Sequence, residues 1–141
     1  MNDVDNNNSN EKLYNIKIED FESKGYSFSY SLYNRMSEEG KNEADNLFDG
    51  IPTDISLASK FMKIISEKCS KNDQYVLPGT AISEAIFRIL IENENRPMSI
   101  LEIHSKLTNV WSSVIYLKNL SETVVTRVLE GDNQYGFSSE S

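Results

Sequence analysis

The segment from Ile82 to Phe137 most constrains the fold, because three apolar-periodic stretches follow one another there with separate start and stop signals. In the first stretch, apolar side chains recur at intervals of three and four residues: Ile82, Ala85, Ile86, Ile89 and Leu90. This spacing lines one face of an α-helix. The residue before a proline is pushed out of helical geometry, so this helix is predicted to end before Pro97.

A second helix is predicted to begin after Ser99. The Ser99 side chain can cap the first turn, while Glu102 bonds back to the Ser99 amide, which together form a capping box. The apolar side of this helix follows at helical spacing: Ile100, Ile103, His104, Leu107 and Trp111.

A third helix is predicted between Ser121, which is a second N-cap, and Gly131, which is expected to close it in left-handed geometry. Its buried stripe is Val124, Val125, Val128 and Leu129. Three helices with independent start or stop signals predict a helix-turn-helix core, followed by the beginning of a wing towards Phe137.

The chain resembles winged-helix domains, especially the HARE-type helix-turn-helix, in the run AIFRILIENENRPMSILEIHSKL. In those domains a helix is followed by Pro-Met-Ser or Pro-Met-Thr before the next helix begins, and here that tripeptide is residues 97–99. The resemblance covers residues 79–137. It implies a winged-helix fold and a role in transcription or in protein assembly around nucleic acid.

The chain before this core is predicted to contain two regions. Residues 1–10 are rich in Asn and Asp with almost nothing to bury, which predicts a disordered acidic leader. Residues 11–50 are predicted to form a β-hairpin and a weak helix. The hairpin is based on two stretches of alternating polarity, Tyr14–Ile18 and Tyr26–Leu32, and the helix begins at a cap on Ser37.

A stronger helix is predicted at Ile55–Lys71, and its solvent-exposed side carries the only basic face of the protein. That face consists of Lys60, Lys63, Lys68 and Lys71. Residues 51–141 are therefore predicted to form a helical domain that contains the winged-helix-like part. The predicted fold is mainly α with a minor β component: a winged-helix-like core with an added N-terminal helix and a β-hairpin.

The charge distribution favours a protein partner over nucleic acid. The chain has a net charge of -8, and its first 50 residues hold 11 acidic and 5 basic side chains. Affinity for duplex DNA depends mainly on neutralising phosphates, and the third predicted helix is itself acidic. The leading hypothesis is a non-catalytic protein-interaction module, for which the family resemblance implies an association with transcription.

The alternative is a sequence-specific DNA-binding regulator. In a helix-turn-helix protein the recognition helix presents polar and basic side chains to base edges in the major groove. Here Thr123, Thr126 and Arg127 would have that role, and the basic face on the earlier helix would contact phosphates.

The connection between the second and third helices contains an unusually apolar insert, residues 112–119. It predicts an additional strand, a continuation of the second helix into the core, or an exposed docking patch. Aromatic side chains are enriched at binding hot spots. The candidate interface residues are therefore Trp111, Val114, Tyr116, Leu117 and Tyr135.

No catalytic, cofactor or metal site is predicted. His104 and Cys69 are the only histidine and cysteine, whereas a metal site built from such residues needs several close together. No glycine-rich phosphate loop occurs. There is neither an apolar run of about 20 residues nor a signal-like N-terminus, so we expect a cytoplasmic protein without membrane contact.

Overall fold

The chain folds into a mostly helical structure with a small antiparallel sheet, as predicted. The computed structural model describes residues 12–71, 75–76, 80–110, 120–131 and 134–140. Within those ranges the elements are β1 Leu13–Ile16, α1 Ile18–Glu22, α2 Phe28–Tyr33, α3 Glu38–Ala44, α4 Ala58–Ile64, α5 Ile82–Glu92, β2 Met98–Ser99, α6 Ile100–Val110, α7 Glu122–Glu130 and β3 Phe137–Glu140.

The sheet joins three strands that are far apart in the sequence. Their order is β2-β1-β3, and both pairs are antiparallel. Tyr14 lies opposite Met98 on one side of β1, and Ile16 lies opposite Phe137 on the other side. The strand nearest the N-terminus is therefore the central one, and it pairs with one strand between α5 and α6 and with another after α7.

The three helices predicted from the C-terminal pattern are present, and the two predicted N-caps, Ser99 and Ser121, form. In the capping box, the Ser99 amide donates to Glu102 Oε1 at 2.9 Å and the Glu102 amide donates to Ser99 Oγ at 3.1 Å. At the start of α7, Ser121 Oγ accepts the Val124 amide at 3.2 Å. Each bond satisfies a helix amide that has no partner within its own helix.

The predicted left-handed geometry at the end of α7 is wrong. Gly131 has φ −79° and ψ 173°, which is ordinary extended backbone. A Cβ at this position would lie 3.0 Å from the carbonyl oxygen of Arg127. Gly131 is therefore constrained by the close approach of the preceding turn and not by a positive φ.

The predicted β-hairpin is wrong, because β1 pairs with the distant strands β2 and β3 and not with the stretch Tyr26–Leu32. β1 confirms the first strand, but the second stretch of alternating polarity forms the helix α2. Phe28 and Leu32 are both buried, and a spacing of four residues places them on one face of a helix as well as of a strand. Ser27 favours the helix because its side chain caps the Tyr30 amide. Tyr26 and Tyr30 remain exposed.

The predicted weak helix is confirmed as α3, and Ser37 caps it by accepting the Gly40 amide at 3.1 Å. Gly40 is buried against the end of the helical segment that follows α4. A Cβ on Gly40 would lie 2.6 Å from Cys69 Sγ. The glycine therefore permits a close approach between these two segments.

The stronger predicted helix is also confirmed, although its turns are not uniform. Its segments are a 3₁₀ turn at Ile55–Leu57, the α-helix α4 and a π-turn at Ile65–Cys69. Asp54 caps the 3₁₀ turn. In the π-turn, the Ser70 amide donates to the carbonyl oxygen of Ile65 at 2.8 Å, five residues back, which widens the last turn.

The helix α5 lies at the centre of one hydrophobic core. Its buried residues are Ala85, Ile86, Phe87, Ile89, Leu90 and Ile91. Rings from distant parts of the chain surround Phe87: the centroid distances are 5.6 Å to Phe21, 6.3 Å to Phe28 and 4.9 Å to Tyr135. The segment before residue 51 is therefore built into the same core as the three C-terminal helices.

Candidate interaction site

A cleft of about 710 Å³ opens between β1, the start of α6 and the outer face of α7. Lys12 and Tyr14 line it from the side of β1, and Ile100 and Leu101 line it from α6. Leu101 is 56% exposed. An apolar side chain therefore stands at the edge of the cleft, where a ligand can remove it from water.

The opposite wall of the cleft is one side of α7. The residues on that wall are Glu122, Thr123, Thr126 and Glu130. The buried side of the same helix carries Val125 and Leu129, which pack into the core. Burial of those two side chains turns the polar wall towards the cleft.

The turn between α5 and β2 fixes the position of β1. Glu94 and Asn95 both have positive φ, 57° and 59°. The Asn95 side chain accepts the Ile16 amide at Oδ1 and donates to the Ile16 carbonyl oxygen from Nδ2, both at 2.8 Å. This side chain extends the pairing of β1 beyond the short β2. Because Tyr14 is on β1, the turn also positions one wall of the cleft.

Tyr14 and Glu130 connect β1 to α7. The Tyr14 hydroxyl donates to Glu130 Oε2, and Lys12 Nζ lies 3.6 Å from the same oxygen. Burial and this hydrogen bond raise the pKa of Tyr14 to about 12, so the hydroxyl keeps its proton. The hydrogen bond from Tyr14, followed by the charge of Lys12, lowers the pKa of Glu130. Glu130 is therefore ionised at neutral pH.

Among the described residues, two glutamates and one lysine line the cleft, so together they give it a net negative charge. Glu122 is exposed at the first turn of α7. The Thr126 hydroxyl donates to the Glu122 carbonyl oxygen at 2.8 Å, so its proton is used within the helix. The resulting surface combines apolar side chains with carboxylates, and it disfavours phosphate.

The residues predicted on α7 for DNA contact are divided between the cleft and the open surface. Thr123 and Thr126 line the cleft, and Arg127 is exposed on the same helix. α7 packs against α5, α6 and β3. Two carboxylates flank these threonines, an arrangement that sequence reasoning noted only as an unfavourable charge.

The predicted basic face lies on α4 and the turns that follow it. Its members, all exposed, are Lys60, Lys63, Lys68 and Lys71. Lys68 lies 4.0 Å from Glu39 and 3.8 Å from Glu43, both on α3. Both α4 and α7 pack against α5, but the other helices that α4 packs against are α2 and α3. The four lysines and the predicted DNA-contact residues on α7 therefore lie on separate helices and do not form one continuous helix face.

Four of the five predicted interface residues, Trp111, Val114, Tyr116 and Leu117, lie outside the described residues. The fifth, Tyr135, donates its hydroxyl to Glu84 Oε1 at 2.9 Å and stacks its ring on Phe137 at 5.5 Å. Tyr135 also lines a small recess of about 190 Å³ together with Tyr26 and Arg35. The Tyr135 side chain is thus held within the protein, with part of it at the surface.

Sequence reasoning missed the network around Glu84. Arg35 donates to both carboxylate oxygens of Glu84 at 2.7 and 2.9 Å, and Arg88 Nε donates at 2.8 Å. Burial by itself raises the pKa of Glu84, but the bonds from Arg35, Arg88 and Tyr135 outweigh that effect and lower the pKa to about 2. The carboxylate is saturated by internal donors, so this network is structural. Only the spacing of Glu84 and Arg88, four residues apart on a helix, signals it in the sequence.

The cleft residues differ in whether a local signal in the sequence predicts that they line a cleft. Leu101 has a local signal, since it is apolar but falls beside the periodic stripe of its helix. Lys12 and Tyr14 have none, because the pairing that brings β1 to the cleft involves partners more than 80 residues away.

The His104 side chain lies within hydrogen-bonding distance of the backbone: its Nε2 is 3.2 Å from the carbonyl oxygen of Leu120. In the described ranges, no group of three or more His, Cys, Asp or Glu side chains is placed to hold a metal ion. None of the helices that the structure describes combines the length and apolar character needed to cross a bilayer.

Protein-family models, curated proteins and solved structures give no match to this chain. The functional inference therefore depends on the geometry and charge of the cleft.

Proposed function

We propose that this protein is a non-catalytic protein-interaction module with a winged-helix-like arrangement, which binds another protein through the cleft between β1, α6 and α7. The observation that carries this proposal is the composition of the cleft. It places the exposed Leu101 beside a wall of α7 that contains Glu122 and Glu130. Apolar contact supplies affinity, and the carboxylates select the charge of the partner.

The order of the elements supports the winged-helix-like part of the proposal. Three helices, α5–α7, follow one another, a short strand precedes α6 and another strand follows α7. In a helix-turn-helix, the recognition helix is the one that enters the major groove of DNA. The corresponding helix here is α7, which lines the cleft.

The DNA-binding alternative would use the same helix. Thr123 and Arg127 are exposed on α7, which is the observation in its favour. Against it, Glu122 and Glu130 stand on either side of Thr123 and Thr126 along the wall of the cleft. Glu130 carries its charge at neutral pH, and both carboxylates would lie against phosphates in a major-groove complex.

Site-specific photocross-linking tests the proposal. A photoreactive amino acid would replace Leu101 in the full chain, within the cells that make the protein. As a matched control, the same amino acid would replace Leu47, another exposed leucine, which ends the 3₁₀ turn after α3. We expect a discrete protein adduct from position 101 and none of the same mass from position 47. Equal adducts from both positions, or none from position 101, would contradict the proposal.

A titration of labelled duplex DNA at several salt concentrations distinguishes the DNA-binding regulator from the protein-interaction module. Binding whose log affinity falls steeply with log salt, and which is lost in Arg127→Ala, would favour the DNA-binding regulator. We expect no binding at low salt.

A further inference from the structure

We propose that the occupant of the cleft is a short basic amphipathic helix of a partner protein, with an apolar anchor on Leu101 and cations that reach Glu122 and Glu130. This inference depends on the proposed function, and it specifies the chemical class of the partner. A helix in a groove is a common form of recognition, in which an apolar stripe supplies the anchors and flanking charges set the register.

The spacing of the two carboxylates on α7 favours a helical occupant. Glu122 and Glu130 are eight residues apart on one helix, which corresponds to about 12 Å along its axis. A partner helix lying beside α7 matches that distance with cations seven or eight residues apart. An apolar residue three or four positions after the first cation then faces the cleft between them.

The apolar contact comes from the start of α6. The capping box of Ser99 and Glu102 fixes this first turn, so Ile100 and Leu101 are held on a rigid element. Leu101 is 56% exposed, so a partner side chain has apolar area left to cover. A preformed anchor of this kind costs little ordering entropy on binding.

Among the described residues, the charges that face the cleft are Lys12, Glu122 and Glu130, with the neutral Tyr14 hydroxyl between β1 and α7. Lys12 lies 3.6 Å from Glu130, but their side chains are 53% and 46% exposed. An exposed pair of this kind contributes little to stability, so a partner cation can share or replace Lys12 at small cost. Glu122 is exposed at the other end of the wall. The net charge of -8 also steers a basic partner towards the protein.

The test uses three labelled peptides of about four helical turns. The first has leucines along one stripe and lysines eight residues apart. The second replaces those lysines by glutamates, and the third keeps the composition but moves the lysines three residues apart. We expect the first peptide to bind more tightly than the third by about tenfold, and the second not to bind, by fluorescence anisotropy at low salt. The affinity of the first peptide should fall as salt is added.

Two protein variants, each with a matched control, localise the binding. Leu101→Ala and Glu122→Gln should each weaken the first peptide by about fivefold to tenfold. Leu47→Ala and Glu67→Gln change an exposed leucine and an exposed glutamate elsewhere, and should leave the affinity within about twofold. Unchanged thermal unfolding verifies that the variants fold, and amide chemical-shift changes of the unaltered protein should map to α6 and α7.

Equal binding of the basic and acidic peptides, equal loss in the control variants, or no binding of the first peptide at low salt would overturn the inference. If the peptide fails but a protein still cross-links at position 101, the proposed interaction module stands and only the basic helix is wrong. If both fail, the proposed function fails as well.

Discussion

The side chain of Asn95 pairs with the backbone of Ile16 as a neighbouring strand residue would, with its amide oxygen and nitrogen both 2.8 Å from the Ile16 backbone atoms. Asn95 has φ 59°, a left-handed conformation that Asn tolerates better than most residues. Asn95 therefore adopts the left-handed backbone of a tight turn, and its side chain extends the sheet. It connects two residues that are 79 positions apart and holds β1 against the rest of the fold.

Asn95→Ala is expected to destabilise the protein by about 2–3 kcal/mol. The change removes two hydrogen bonds to partly buried backbone groups, at about 1 kcal/mol each, and places alanine in left-handed geometry at about 1 kcal/mol more. Urea unfolding followed by circular dichroism measures this difference.

Asn95→Gly separates the two contributions, because glycine adopts a positive φ freely while losing the same hydrogen bonds. It should cost less than Asn95→Ala. Asn109→Ala, at an exposed position on α6, should change the free energy of unfolding by less than about 0.5 kcal/mol. A loss of similar size at positions 95 and 109 would contradict the proposed role of Asn95.

Stability should depend on pH through Glu84. Its pKa is about 2 in the folded protein, against about 4.3 for an unperturbed glutamate, so the unfolded chain takes up the proton first as the pH falls. The stabilisation from this group is complete above about pH 5 and is lost progressively down to about pH 2. Its size is on the order of 3 kcal/mol, and the side chain is only 19% exposed, which limits screening.

Denaturant unfolding of the unaltered protein and of Glu84→Gln between pH 2 and pH 7 tests this expectation. The difference in free energy of unfolding between the two should be largest near neutral pH and should shrink as the pH falls from 5 to 2. Glu67→Gln, an exposed glutamate beyond α4, is the matched control. A difference for Glu84→Gln that does not vary with pH would show that the carboxylate charge contributes nothing through linkage.

Gly40→Ala is expected to destabilise the protein, although alanine is the better helix former. On an exposed helix the substitution would gain about 1 kcal/mol. Here the added Cβ would lie 2.6 Å from Cys69 Sγ and 3.4 Å from a methyl carbon of Ile64, so we expect a net loss of about 1–3 kcal/mol from overpacking.

A double-mutant cycle with Cys69→Ala identifies the cause of that loss. Removing the sulfur leaves room for the new methyl group, so Gly40→Ala should cost less in the Cys69→Ala background by about 1 kcal/mol or more. Additive effects, or a gain in stability from Gly40→Ala alone, would mean that the two segments move apart without strain.

Local patterns in the sequence predicted the helices well because their signals lie within a few residues of one another. The capping box of Ser99 and Glu102 and the cap at Ser121 form as expected. Where two structures share a spacing, the pattern was not sufficient: Phe28 and Leu32 fit a strand and a helix equally, and the helix formed. Gly131 ends a helix as predicted but in extended geometry, and a Cβ there would lie only 3.0 Å from the carbonyl oxygen of Arg127.

The sequence by itself determined the three helices α5–α7, the N-caps at Ser99 and Ser121, the helix around α4 and the acidic character of α7, since each depends on periodicity, capping or composition over short distances. Only the tertiary structure decided that β1 is the central strand and that Tyr14 meets Glu130, 116 residues away. It also decided that Glu84 lies between Arg35 and Arg88. Such contacts depend on which distant surfaces pack together, and the free energy that selects them is shared across the whole core and is not encoded at any one position.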